Sequence, residues 1–355
     1  MSLTSKLLLK DKLEKYLADI ARGYTVFVPA KKNGFVSYEE FKKDKFLQLS
    51  YANFDIPPAK AFFFPPLMKK YLDYPFEDAW LRPGKKALYG VRPCDAQGLV
   101  LLDKAIKDDK LYNEKRDNIL IIVQGCNSPS KTCFCTSVNG GPFSNSGADV
   151  FMTDIGDSFV VEDVSGKGAE YLQHLTDAGS EDLVRREQTA SKSVKAMEKS
   201  LDLDSMPEKL EHVNKVFESN GIWRRLGDRC TNCARCTSVC PTCHCCFVVE
   251  DIVEMVCDQL GEEAKKFDPC MLNISVSGGF TSETPSGYQR LQRRLMDKFC
   301  NSMKTVGQPF CVGCGRCITS CTENVDITEV LKYVINMGRA SSINTGVRNN
   351  LQIII

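Results

Sequence analysis

The 355-residue sequence predicts an α/β N-terminal domain followed by a mostly α-helical, cysteine-rich C-terminal domain. Three features point that way. β-rich runs alternate with a helical segment up to about residue 165. The 18 cysteines leave residues 136 to 229 empty and then crowd toward the C-terminus. The apolar residues between the late cysteines recur at helical spacing.

In chain order, Leu9, Leu13, Tyr16, Leu17 and Ile20 fall on one helical face and Gly23 follows as a stop, which predicts a helix. The runs 24–29, 86–91 and 118–123 are rich in β-branched and aromatic residues and read as strands. The last two flank a helical segment around Leu99 to Ile106, the order of a βαβ unit. Residues 150–154 and 158–162 alternate about Ile155-Gly156-Asp157 as a hairpin. Residues 1–165 are thus expected to form the α/β domain.

Residues 166–222 turn to Glu, Lys, Ser and Gln, with a narrow apolar face at Leu210, Val213, Val216 and Phe217 and a break at Met206-Pro207. They read as a helical connector with a solvated face. The cysteine-rich domain spans 223–335, and 336–355 form a C-terminal tail. Within it, Ile252, Val253, Val256 and Leu260 precede Gly261 on one helical face, and Tyr288, Leu291, Leu295, Phe299 and Met303 lie on another. This predicts a long helical insertion. Cys257 and Cys300 sit on these stripes and read as small buried hydrophobes.

Composition excludes several function classes. Lys+Arg number 46 against Asp+Glu 45, so there is no basic excess of the kind nucleic-acid or anionic-membrane binders carry. A chain this long can bury a core without disulfide staples. Residues 1–10 lack the apolar core of a signal peptide, and the longest aliphatic run, near 118–123, falls far short of the ~20 residues that span a bilayer. A cytoplasmic protein is expected, where thiols stay reduced and bind metal.

The spacing of the thiols names the metal. Cys230, Cys233, Cys236 and Cys240-Pro241 follow C-x2-C-x2-C-x3-C-P, and Cys311, Cys314, Cys317 and Cys321 repeat the spacing. Three thiolates two residues apart wrap a cubane, while the fourth leaves the turn and reaches the neighbouring cluster. Cys230, Cys233, Cys236 and Cys321 are therefore expected to hold one [4Fe–4S] cluster, and Cys311, Cys314, Cys317 and Cys240 a second, in a ferredoxin-like double module. Zinc takes two pairs of ligands and has no use for the third closely spaced cysteine. Thr322 stands where bacterial ferredoxins carry proline, which bears on the local turn and not on ligation.

Cys94, in Gly90-Val-Arg-Pro-Cys94-Asp, and Cys126 each follow a predicted strand, at one end of a parallel sheet, with Cys133 and Cys135 close behind. Together they are expected to hold a third cluster; a zinc site, a redox-active pair and four unrelated cysteines are the alternatives. Cys243, Cys245 and Cys246 remain open between reserve ligands, thiols that tune a cluster, and packing, and Cys270 lies in an expected loop. His244 reads as a structural neighbour.

Gly-Val-Arg-Pro-Cys-Asp-Ala from Gly90, Cys-Phe-Cys-Thr-Ser from Cys133, Cys-Pro-Thr-Cys-His-Cys from Cys240 and Cys-Val-Gly-Cys-Gly-Arg-Cys-Ile from Cys311, with Phe63-Phe64-Pro65-Pro66, occur in an order that resembles a known family. It is that of the iron–sulfur proteins typified by the A subunit of anaerobic sulfite reductase and the β subunit of sulfhydrogenase. The resemblance spans about residues 60 to 330. It implies an electron conduit without a catalytic site of its own. The flanking partners it implies are a flavoprotein subunit that binds FAD and uses NAD(P)H, and a separate catalytic subunit of sulfite reductase, hydrogenase or heterodisulfide reductase type. The ferredoxin ligands carry over onto the eight cysteines of the two motifs.

The residues agree with a conduit. No G-x-G-x-x-G follows a strand and no Walker A sequence is present, and His174, His212 and His244 are dispersed. The leading expectation is an electron-transfer subunit of an anaerobic oxidoreductase complex. The alternatives are a self-contained flavin-binding iron–sulfur reductase that uses the clusters as an internal relay, and a structural zinc scaffold.

Overall fold

The computed structural model describes residues 5–32, 35–42, 59–63, 84–203, 206–209, 228–244, 246–249, 264–267 and 287–341. The near-continuous apolar runs of Lys86–Val91 (β4) and Ile119–Gln124 (β5) can be buried only if both of their faces are covered, and both strands are buried almost throughout. They lie parallel in the middle of a sheet, with Thr25–Lys32 (β2) parallel to β4 and Val150–Asp154 (β6) parallel to β5. Antiparallel strands finish the edges: Phe35–Glu40 (β3) beside β2 and, beyond β6, Ser158–Asp163 (β7), Ser5–Leu9 (β1) and Thr176–Asp177 (β8). The eight strands run in the order β3-β2-β4-β5-β6-β7-β1-β8.

Helices cover both faces. Leu13–Ile20 (α1) places Leu13, Leu17 and Ile20 against Val26, Ala87, Leu120 and Ile122. Pro93–Ala105 (α2) and Lys110–Asp117 (α3) lie between β4 and β5 in sequence and cover the other face through Leu99, Leu102 and Tyr112. The predicted βαβ unit and hairpin are therefore present. One expectation is corrected: Leu9 belongs to β1, not to the first helix. Ser5–Leu9 pairs along β7 from Ser5 opposite Glu162 to Leu9 opposite Ser158, and Leu9 is 48% exposed. Its four-residue spacing from Leu13 mimics a helical face that begins only at Leu13.

After β7, Ser180–Lys195 (α4) packs back over β6 and β7, and Arg186 bonds Glu162 at 2.5 Å. With β8 also in the sheet, this part of the expected connector is built onto the first domain. Leu210, Val213, Val216 and Phe217 lie outside the described residues. A second core joins Phe134 and Val138 to Leu201, Met206, Leu291, Leu295, Phe299, Ile327 and Leu331. Its helices are Gly287–Met296 (α5), which continues through one π turn at Asp297–Asn301, and Ile327–Ser341 (α6). Between the cysteine motifs, Cys246–Val249 and Ala264–Phe267 pair as antiparallel strands, so where it is described the insertion is mixed and not wholly helical. The helix expected over Ile252–Leu260 lies outside the described residues. Among the described residues no helix is long and apolar enough to cross a membrane.

Candidate metal centres

The two cysteine motifs adopt one backbone turn. Two and four residues after the first cysteine of each, the chain is left-handed: Asn232 (φ 54°) and Ala234 (φ 61°) in the first, Gly313 (φ 60°) and Gly315 (φ 70°) in the second. Each turn then enters a single helical turn, Arg235–Ser238 or Arg316–Thr319. The repeated left-handed residues curl the chain around a point, and backbone N–H groups donate to sulfur, Gly313 to Cys311 Sγ at 3.4 Å and Val325 to Cys321 Sγ at 3.2 Å.

Cys230, Cys233, Cys236 and Cys321 line one cavity, roofed by Leu291, Leu295, Ile327 and Val330, and Cys317 also reaches it. Cys233 is exposed. Cys311, Cys314 and Cys317 form a second group, each in the field of Cys240. Burial pushes the thiols of this trio up, Cys314 to about 12. Cys240 runs the other way: the Cys243 thiol donates to it, and Lys298, Arg294 and Lys60 hold it well below the ordinary thiol range against the effect of burial.

Cys94, Cys126, Cys133 and Cys135 line a third cavity together with Arg92 and Cys314. Cys94 stands in the first turn of α2, where Pro93 at the first helical position needs no N–H partner, and Cys126 follows β5. Because β4 and β5 are parallel neighbours, both thiols emerge at the same sheet end. Burial raises Cys94 and Cys126, lifts Cys133 to about 11 and Cys135 to about 12, while Arg92 and Arg316 oppose the rise at Cys126 and Cys133.

The second motif is clamped onto this third site. Phe134 N–H donates to Gly313 O at 2.8 Å and Cys133 Sγ to Cys314 O at 3.5 Å. A Cβ on Gly313 would fall 2.6 Å from the Cys135 backbone, and one on Gly315 would fall 2.5 Å from Thr132 O. Arg316 forms a buried bidentate pair with Asp95, at 2.5 and 2.6 Å, joining the motif to α2 beside Cys94.

These residues fit iron–sulfur clusters. Each group gathers four of the expected thiols, backbone N–H groups donate to the Cys311 and Cys321 sulfurs, and Arg316 Nε is a buried donor that meets no acceptor among the described residues, with Cys94 and Cys314 in its field. Among the described residues no three Cys, His, Asp or Glu side chains are grouped as a single ion would need. Cys300 is fully buried in the second core, as expected of a small hydrophobe. Cys245, Cys257 and Cys270 lie outside the described residues, and Cys246 starts a strand.

A 4Fe-4S dicluster domain model matches residues 229–325. Sulfhydrogenase 2 subunit beta of Pyrococcus furiosus is 30% identical over 324 residues, covering 87% of this chain and 92% of that protein. The chain belongs to this family of iron–sulfur subunits. Its dicluster domain is of the kind that carries two [4Fe–4S] clusters.

The motif pattern did not reveal the cations around this domain. Lys298 Nζ donates to Cys240 Sγ at 3.3 Å, Thr242 Oγ1 at 2.8 Å and Phe310 O at 3.0 Å. Arg294 donates to Cys243 Sγ at 3.2 Å and Cys236 O at 2.9 Å. Lys60 Nζ donates to the Thr237 and Cys243 carbonyls at 3.1 and 2.8 Å. A signal was present: Arg294 and Lys298, four apart, interrupt the apolar stripe of Leu291, Leu295 and Phe299.

Proposed function

We propose that this chain is the electron-transferring subunit of an oxidoreductase complex. In this reading it is placed between a flavoprotein that takes electrons from NAD(P)H through FAD and a separate catalytic subunit. The relative's name makes that protein the beta subunit of a sulfhydrogenase. The proposed ligands are Cys230, Cys233, Cys236 and Cys321 for the first [4Fe–4S] cluster, Cys311, Cys314, Cys317 and Cys240 for the second, and Cys94, Cys126, Cys133 and Cys135 for the third. When bound, such clusters supply reversible one-electron storage. One observation carries the reading: from a single loop, Cys317 lines the cavity of the first group and Cys314 lines that of the third, so the three thiol groups are contiguous. Cys240 and Cys314 of the middle group are buried and Cys311 and Cys317 partly so, while the first group comes nearest solvent at Cys233. A cytoplasmic setting, which keeps the thiols reduced, belongs to the same proposal.

The test is reduction of the anaerobically purified complex. NAD(P)H is expected to bleach the visible cluster absorbance only while a flavin-containing partner is bound, and the isolated chain is expected to hold no flavin. An isolated chain that retains flavin and reduces a dye with NAD(P)H would replace this proposal with the self-contained reductase.

A further inference from the structure

Three cations lie buried on one side of the second thiol group, with Lys60, Arg294 and Lys298 each no more than 5% exposed. Buried charge is costly unless it is balanced. Among the described residues, the groups that Arg294 and Lys298 hydrogen-bond are thiols, carbonyls and a hydroxyl, not carboxylates. The sulfurs are thus the nearest groups able to carry balancing negative charge. The cations are not equivalent. Arg294 lines the first cavity and contacts Cys236, so it stands between the two groups. Lys298 faces Cys240, and Thr242 and the Phe310 carbonyl hold its ammonium there.

We infer that Lys298, backed by Lys60, raises the reduction potential at Cys240, Cys311, Cys314 and Cys317, and that it acts on this centre more than on its neighbours. This deepens the proposed function and rests on its ligand assignment. Reduction adds one electron, with no bond made or broken. A cation donating to a ligand sulfur stabilises the more negative state most, and the burial of Lys298 and Cys240 limits screening of that attraction. Lys298 is a positioning residue for charge and does not react.

The test is mediator potentiometry of the anaerobically purified holoprotein, followed by electron paramagnetic resonance. K298M is expected to keep its iron and sulfide while one midpoint falls by about tenfold in the reduction equilibrium, ~59 mV for a one-electron couple. K298R, which keeps the charge, is expected to stay near wild type. Full iron with every midpoint unmoved in K298M would overturn the inference. Should K298M lose iron, K60M reads the same cation cluster from outside the cysteine motifs. There a smaller fall supports the inference, and unmoved midpoints with full iron overturn it. Wild-type protein holding fewer than about eight irons would instead overturn the ligand assignment, so the two failures are distinguishable.

Discussion

The two cysteine motifs share a backbone and a common helical core, and differ in what packs against the residues between the cysteines. Asn232, Ala234 and Arg235 in the first correspond to Gly313, Gly315 and Arg316 in the second, with left-handed residues in the same places. Arg235 is exposed, whereas Arg316 is 1% exposed and paired with Asp95. Asn232 and Ala234 carry side chains; Gly313 and Gly315 sit where a Cβ would strike the loop that bears Cys133 and Cys135. Cysteine spacing therefore sets the turn, and the residues between the cysteines record what the turn touches. In the first motif that is solvent at Arg235 and the helical second core at Ala234, and in the second it is the loop bearing Cys133 and Cys135 and, through Arg316, Asp95.

The largest difference between the motifs is expected when each of the equivalent arginines is replaced by methionine. R316M strands Asp95 as an unpaired buried carboxylate, and a loss of about 3–5 kcal/mol is expected. R235M is expected to stay within about 0.5 kcal/mol of wild type. Denaturant melts of both variants, under anaerobic conditions, measure the difference. The glycines come next. G313A combines a left-handed alanine with a backbone clash and is expected to cost about 3 kcal/mol, whereas N232A, already left-handed, is expected to cost about 1 kcal/mol. Equal melting temperatures for the two would deny that the second motif is pressed onto the 132–135 loop.

The smallest effect lies at the start of α6, where both motifs have ended. Asp326 caps this helix by accepting from Thr328 N at 2.8 Å and receives Lys199 Nζ at 2.7 Å. Burial pulls the Asp326 carboxyl up, but the hydrogen bonds of Lys199 and Thr328 outweigh it and hold the group below the usual carboxylate range. Its contribution is therefore complete above the unfolded pKa of ~3.9 and is lost as pH falls through the lower folded value. D326A is expected to cost about 1 kcal/mol at neutral pH, with the difference from wild type shrinking below about pH 4. A pH series of thermal melts checks the sign.

Local signals were legible in the sequence. The apolar runs of β4 and β5, the hairpin of β6 and β7, and both cysteine turns are written in consecutive residues. So was the convergence of Cys94 and Cys126, because parallel strands deliver their following residues to one sheet end. Long-range pairing was hidden. β1 is a strand because β7, some 150 residues later, accepts it, and no periodicity within Ser5–Leu9 says so. Arg316 and Asp95 are 221 residues apart, and Lys60 reaches Thr237 across 177. Charges that find their partners only after segments distant in sequence pack leave little local trace beyond the interruption of an apolar stripe.

If the three contiguous thiol groups hold three iron–sulfur clusters, as proposed, iron and acid-labile sulfide analysis of the anaerobically purified chain is expected to find about twelve of each per chain. About eight would remove the centre at Cys94, Cys126, Cys133 and Cys135, and about four or fewer with stoichiometric zinc would rule out iron–sulfur clusters at these thiols.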